Sequence, residues 1–259
     1  MVRRLFLASV VALLLLGGLW QPHDPDAVDI LARHTGMTTS HLLGTDHLGR
    51  DLLSRILAGG LRTASVILLV GLIGFPFGTL LGTAAALLGG WRESSLLSFC
   101  EFFISVPTLI VALTAAAIFG LTPASAGLAL GLATIGPTAL LAHSLTQRLL
   151  GQPFMLAARA LGVPSSQMIV RHLLPNILPL MLTHVGSQAG LALTAYASLA
   201  FIGLGADPSR PDWGSMLFEY RAFIFDHPAL MIWPGIAIAL TVGALNWICD
   251  DPRQTAPFD

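Results

Sequence analysis

Four histidines, His23, His34, His41 and His47, share one polar stretch with Asp24, Asp26, Asp29, Asp46 and Asp51. Imidazole groups ligate borderline divalent metals such as nickel, so metal binding is the first chemistry to weigh. Their irregular spacing along a loop argues against a preformed site, and no metal ligands are assigned. A second pair, His184 and Gln188, lies one helical turn apart in an apolar segment. Such groups need partners inside lipid, so they either line a path for a solute or hydrogen-bond a neighbouring helix. The other polar side chains in apolar stretches are His143, Gln147, Asn176 and Asn246. No HExxH, no GxSxG and no paired acidic residues accompany them, so no catalytic residue is assigned. GxxxxGK[ST] is missing too, so any nucleotide must bind elsewhere.

The elements that position these residues follow from composition. The chain has 259 residues, 54% hydrophobic and only 10% charged, whereas a soluble domain is about a quarter charged. A helix needs roughly 20 apolar residues to cross a bilayer core. Stretches free of Asp, Glu, Lys and Arg run from Leu5 to His23, Thr63 to Trp91, Phe102 to Gln147, His172 to Ala206 and His227 to Cys249. The third is too long for one crossing and breaks at Phe119-Gly-Leu-Thr-Pro-Ala-Ser125, where Gly and Pro punctuate the pattern. The expectation is an all-α polytopic membrane protein with six transmembrane helices.

Arg3-Arg4 followed by Leu5 to Leu16 has the charged and apolar regions of a signal peptide, but no A-x-A site follows and five more spans do. An uncleaved first helix with its arginines in the cytoplasm is the better reading, and six spans then put both termini inside. Lysine is absent and the net charge is −1, which leaves no polybasic patch for nucleic acid or anionic lipid. The two cysteines, Cys100 and Cys249, support neither a disulfide framework nor a Cys-rich metal site.

The first external loop runs from Gln21 to Arg62. Within it Leu52, Leu53, Ile56 and Leu57 form one apolar helical face. Asp46 is read as the N-cap of a helix lying along the outer membrane surface, with Arg50, Ser54 and Arg55 toward water or headgroups and Arg62 marking entry to the second span. Gly74, Gly78 and Gly82 recur every four residues on that span and allow a close helix neighbour, with Pro76 as an expected kink. From Leu145 to Pro175 the chain leaves lipid. Pro153 opens a short helix that stops at Gly162; Pro164 and Ser165 open a second that Pro175 is expected to end. A rigid helix pair on the side where ATP is available suits a docking element.

Here the residues resemble a known pattern: Ala157-Ala158, three residues, Gly162, nine residues, then His172-Leu-Leu-Pro175. It is similar to the cytoplasmic "EAA" loop of type I ABC importer permeases, although Leu156 replaces the Glu of that motif and His172 its usual Ile. The string ARALG…RHLLPN, with GTDHLGRDLLSR at 44 to 55, FIGLGADPSRPDWGSM at 201 to 216 and WPGIAIAL at 233 to 240, resembles the peptide/nickel branch over nearly the whole chain. The C-terminus departs: related permeases commonly continue NLLGDGLRDALDP where this one reads Asn246-Trp-Ile-Cys-Asp-Asp-Pro252.

The resemblance implies a type I ABC importer permease fold, with 1–60 as a transmembrane helix and external loop, 61–250 as the permease domain, its EAA-like loop at 151–175, and 251–259 as a short cytoplasmic tail. It implies a bacterial inner-membrane assembly of a second homologous permease, two ABC ATPases and an external solute-binding protein. Residues 153 to 163 become the coupling helix, with Ala157, Ala158, Arg159, Gly162 and Pro164 as contacts to the ATPase. No cofactor is expected on this chain, ATP and Mg being used by the partner ATPases. The solute implied is a peptide, nickel or a nickel chelate. The rival reading is an ion-coupled secondary transporter, which often carries ionisable groups at mid-membrane; the spans as read contain no Asp or Glu.

Overall fold

The computed structural model describes residues 20–205 and 209–249, together with Val10, Leu14 and Gly17. Most of the first predicted span, with Arg3-Arg4 and the 251–259 tail, lies outside the described residues. The helices described are α1 (Leu52–Leu88), α2 (Gly90–Ser105), α3 (Thr108–Phe119), α4 (Pro123–Leu150), α5 (Pro153–Ala160), α6 (Ser165–Met168), α7 (Leu174–Phe201), α8 (Trp213–Tyr220) and α9 (Ala229–Cys249). No strand occurs among the described residues. Among the described residues four helical stretches are long and apolar enough to cross a membrane: α1, α4, Ile169–Phe201 and Ala229–Trp247. With the bent α2–α3 pair taken as one span they make five.

The longest helix, α1, has 37 residues, or about 55 Å at 1.5 Å per residue. This overturns the expected surface helix, because the chain passes from Leu52 through Arg62 to Leu88 without a break. The N-cap is Asp51, whose carboxylate accepts from the Ser54 N–H at 2.8 Å, and not Asp46. Leu52, Ile56 and Leu57 are buried as their spacing requires. Leu52 and Ile56 pack, with Trp213, Met216 and Tyr220 of α8 and Leu230 of α9, into one apolar cluster at this end of the bundle.

The glycine ladder of α1 meets α4. A Cβ on Gly74 would overlap the Thr134 side chain, one on Gly78 the Thr138 side chain, and one on Gly82 the Ala139 carbonyl. Reciprocally, Gly127 and Gly131 of α4 admit Leu69 and Ile73. Residue numbers rise together along both helices, so α1 and α4 run parallel. Parallel helices joined by 89–122 require that segment to return to its starting face. It does so through α2 and α3, which meet at a 71° bend. At 12 residues, α3 extends only about 18 Å and cannot cross alone. The span read as starting at Phe102 therefore begins earlier, on α2, and the break at Val106-Pro107 follows from proline's exclusion of the helical conformation in the residue before it.

We expect Gly82→Val to lower stability by about 1–3 kcal/mol, because overpacking forces two backbones apart. Nothing lies within 4 Å of a Cβ at Gly235 in α9, so Gly235→Ala should leave the unfolding midpoint of the detergent-solubilised protein unchanged. Equal midpoints for both variants would rule out a tight α1–α4 contact.

The break at Phe119 to Ser125 stands where the sequence puts it. Thr122 caps α4 through a reciprocal bond with Ser125, and Pro123 takes the first turn, where its missing N–H costs nothing. The expected stop at Pro175 does not occur. A π turn, Ile169–Leu173, leads directly into α7, with the Leu174 N–H bonded to the Ile169 carbonyl. The wider π turn accommodates the Pro175 ring that would otherwise clash with a carbonyl one turn back.

Candidate functional site

The loop between α4 and α7 is built as a rigid knob. α5 begins at Pro153 and ends in a Schellman turn: the Val163 N–H reaches the Ala158 carbonyl at 3.1 Å and the Gly162 N–H the Arg159 carbonyl at 3.0 Å. Gly162 has φ +73°, a conformation open to glycine at little cost. Met155 and Ala158 turn inward and join Leu145, Leu149, Leu173 and Ile177 in one cluster. Of the five predicted coupling residues, Ala157, Arg159, Gly162 and Pro164 are exposed, whereas Ala158 is buried and anchors the knob to the bundle. Phe154 and Leu161 lie within the expected 153 to 163 coupling helix but are not among its five named contacts. Both are exposed, Leu161 at 83%, and with Ala157 they fall at i, i+3 and i+7, a stripe available to a partner groove.

At the other end of α1 a charged cap closes the bundle. Arg50, Ser54 and Arg55, expected to face water or headgroups, are 3%, 0% and 1% exposed. Nearby Asp46 and the distant Glu219 of α8 cover the two arginines. Asp46, fully buried, accepts from the Leu48 and Arg50 N–H groups at 2.8 and 3.0 Å, from Arg50 Nε at 2.7 Å and from Tyr220 Oη at 3.1 Å. Glu219 of α8 pairs with Arg50 Nη2 and with Arg55 Nη2, the latter at 3.4 Å. Trp213 donates its Nε1–H to the Ile56 carbonyl at 2.8 Å. Burial alone pushes the Asp46 carboxyl up, but the Arg50 charge and the Leu48 and Arg50 donors outweigh it and hold the group below its ordinary value.

Between the two ends, α3, α4 and α7 enclose a cleft of about 340 Å³ whose lining includes Thr108, Thr134, Gln188, Thr194 and Ser198. Gln188 lines it, and His184 lies behind, 3.3 Å from Gln188 through their Nε2 atoms. His143 and Gln147 do not reach the cleft. Both bond Glu93 of α2, at 2.6 and 2.9 Å. The bent span thus carries Glu93 and Glu101, and Glu93 is used to fasten α2 to α4.

A bundle of long apolar helices around a small cleft, with a rigid exposed knob on one loop, has the architecture of a membrane-spanning subunit. Residues 74–250 match the family described as "Binding-protein-dependent transport system inner membrane component". The nickel transport system permease NikC of Escherichia coli K12 is 30% identical over 95% of this chain and 90% of its own. The glutathione transport permease GsiD of Pectobacterium atrosepticum is 31% identical over 96% and 83%. The probable D,D-dipeptide permease DdpC of E. coli K12 is 32% identical over 95% and 84%. In fold the chain is similar to one in the inward-facing MetNI methionine ABC transporter, with a TM-score of 0.61 over 78% of this chain and 95% of the other.

The chain therefore belongs to the inner-membrane components of binding-protein-dependent transport systems, the ABC importer permeases of the peptide/nickel class. It is a multi-pass inner-membrane transport subunit that works with a binding protein, and ATP hydrolysis falls to separate ATPase subunits.

Proposed function

We propose that this permease is half of a translocation path that admits a short peptide, nickel or a nickel chelate, and that its α5 knob receives the stroke of the ATPase. The observation that carries the path is the cleft: four hydroxyls and the Gln188 amide stand among apolar side chains such as Leu109, Pro137 and Leu191, without a charged group, so a small solute can find hydrogen-bond partners there without an ion being trapped. A roomier groove of about 450 Å³ beside Phe75, Leu80 and Met181 is almost wholly apolar and offers no such partners. His184 acts through Gln188, holding its amide toward the cleft.

The full assembly contains this chain, a second homologous permease and two ATPases, with ATP and Mg bound by the ATPases and no cofactor on this chain. Ala157, Arg159, Gly162 and Pro164, with Phe154 and Leu161, face the ATPase, and Ala158 positions them. The knob lies on the cytoplasmic side, the charged cap outside, and Arg3-Arg4 with both termini inside. The fold supports this placement by setting knob and cap at opposite ends of α1, where Leu87 packs beside the knob's cluster and Leu52 beside the cap's.

Uptake by membrane vesicles carrying the reconstituted importer and its binding protein is expected to need ATP and both ATPases. It should persist when proton and sodium gradients are collapsed. Uptake that survives removal of the ATPases would overturn the reading.

A further inference from the structure

The irregularly spaced histidines of the cap do not stay apart. His23 and His41 come together over the N-terminus of α1, their ring centroids 4.7 Å apart. His41 Nδ1 lies 2.9 Å and His23 Nδ1 3.8 Å from the same atom, Asp51 Oδ1. One ligand atom from each of the three residues lies within 4.8 Å of the others. From this convergence we propose that His23, His41 and Asp51 bind one divalent first-row transition-metal ion, of the nickel, copper and zinc group, at the outer surface of the cap.

The chemistry of the donors selects that group. Two imidazoles and one carboxylate suit borderline ions, not the hard oxygen-loving ones. An ion held at about 2.0–2.2 Å by each donor spaces them roughly 3.0–3.5 Å apart, so only His23 needs to move inward. A hydrogen bond from His41 to Asp51 accounts for the shorter approach but not for the longer. At 3.8 Å the His23 nitrogen is aimed at the carboxylate beyond hydrogen-bond range.

The site is also braced. Asp51 is 3% exposed, and its second oxygen accepts from both the N–H and the hydroxyl of Ser54, at 2.8 and 2.7 Å. That fixes Oδ1 toward the imidazoles, as outer-shell bonds orient ligands in metal sites. Ser54 also accepts the His23 backbone N–H at 3.0 Å, and Thr38 the His41 N–H at 3.0 Å. The guanidinium groups of Arg50 and Arg55 pair with Asp46, Glu219 and Asp26. The His23 side chain is 41% exposed, which leaves the ion a route from solvent and a coordination position for water. A bound ion would tie the segment before α1, the turn at His41 and the helix start together.

The test uses the tag-free permease assembled with its partners in detergent and stripped of metal. Titration with Ni²⁺ alone, followed by calorimetry, should give one saturable site per copy of this chain, and Co²⁺ should give visible absorption bands characteristic of nitrogen ligation. His23→Ala and His41→Ala should each weaken Ni²⁺ binding at least 10-fold, while His34→Gln, a cap histidine outside the site, should not. Unfolding midpoints measured without metal keep a folding defect distinguishable from ligand loss. Binding that is absent, or that is unchanged in both alanine variants, overturns the proposal. The titration measures no transport, so its failure leaves the importer reading standing, and failure of vesicle uptake leaves the site standing.

Discussion

Leu161→Asp is expected to abolish ATP-driven uptake while leaving the permease folded in the membrane. Leu161 is 83% exposed and follows directly on α5, at the end of the stripe Phe154, Ala157 and Leu161. An apolar knob this exposed gains nothing from its own chain. Seated in a groove of the ATPase it becomes an anchor of the kind that loses about 2–4 kcal/mol when removed, and a carboxylate there must also shed its water. That corresponds to docking weaker by a factor of about 30 to 1,000. Co-purification of the ATPase with the permease reads the docking, and uptake by vesicles reads the consequence. Gly162→Ala is the graded companion. A Cβ there meets nothing within 4 Å, so its cost is the φ of +73°, about 1–2 kcal/mol, and uptake should fall only partly. Wild-type uptake by Leu161→Asp would remove α5 from the coupling role.

The second large effect concerns the cap. Asp46→Ala removes four hydrogen bonds and the central negative charge facing two guanidinium groups that are 3% and 1% exposed. Breaking a buried ion pair from one side leaves an uncompensated charge and costs about 3–5 kcal/mol. The expected result is a sharp fall in the unfolding midpoint of the purified complex and early proteolytic cleavage in the 24–46 segment. The pH dependence has a definite sign. The folded carboxyl sits below its ordinary value, so its contribution is complete above the unfolded pKa, about 3.9. It is lost as pH falls through the folded value. Wild-type midpoint and proteolysis in Asp46→Ala would show that the cluster does not hold the cap.

Most of the site was legible where the signal is local. The α5 helix was readable from Pro153 and Gly162 because the first-turn proline and the left-handed turn are encoded within ten residues. The glycine ladder at Gly74, Gly78 and Gly82 announced a close helix partner, but not that the partner is α4 or that it runs parallel. Ala158 was counted with the exposed coupling residues because motif spacing does not say which way a helix faces; its burial against Leu149 and Ile177 does. Phe154 and Leu161 fall inside the expected 153 to 163 helix, and only the structure shows that both side chains stand exposed.

By itself the sequence determined the membrane class, the break between α3 and α4, the short α5 helix and the absence of a nucleotide motif. Apolar run length, proline, glycine and capping residues act over a turn or two and need no tertiary partner. The tertiary structure decided that Arg50 and Arg55 are buried, since Arg50 meets Glu219 across 169 residues of chain. It decided likewise that α2 and α3 form one bent return, and that His23 and His41 converge on Asp51. Each of these depends on which distant segments are brought into contact, and a charge or an imidazole carries no mark in sequence of the partner that will neutralise it.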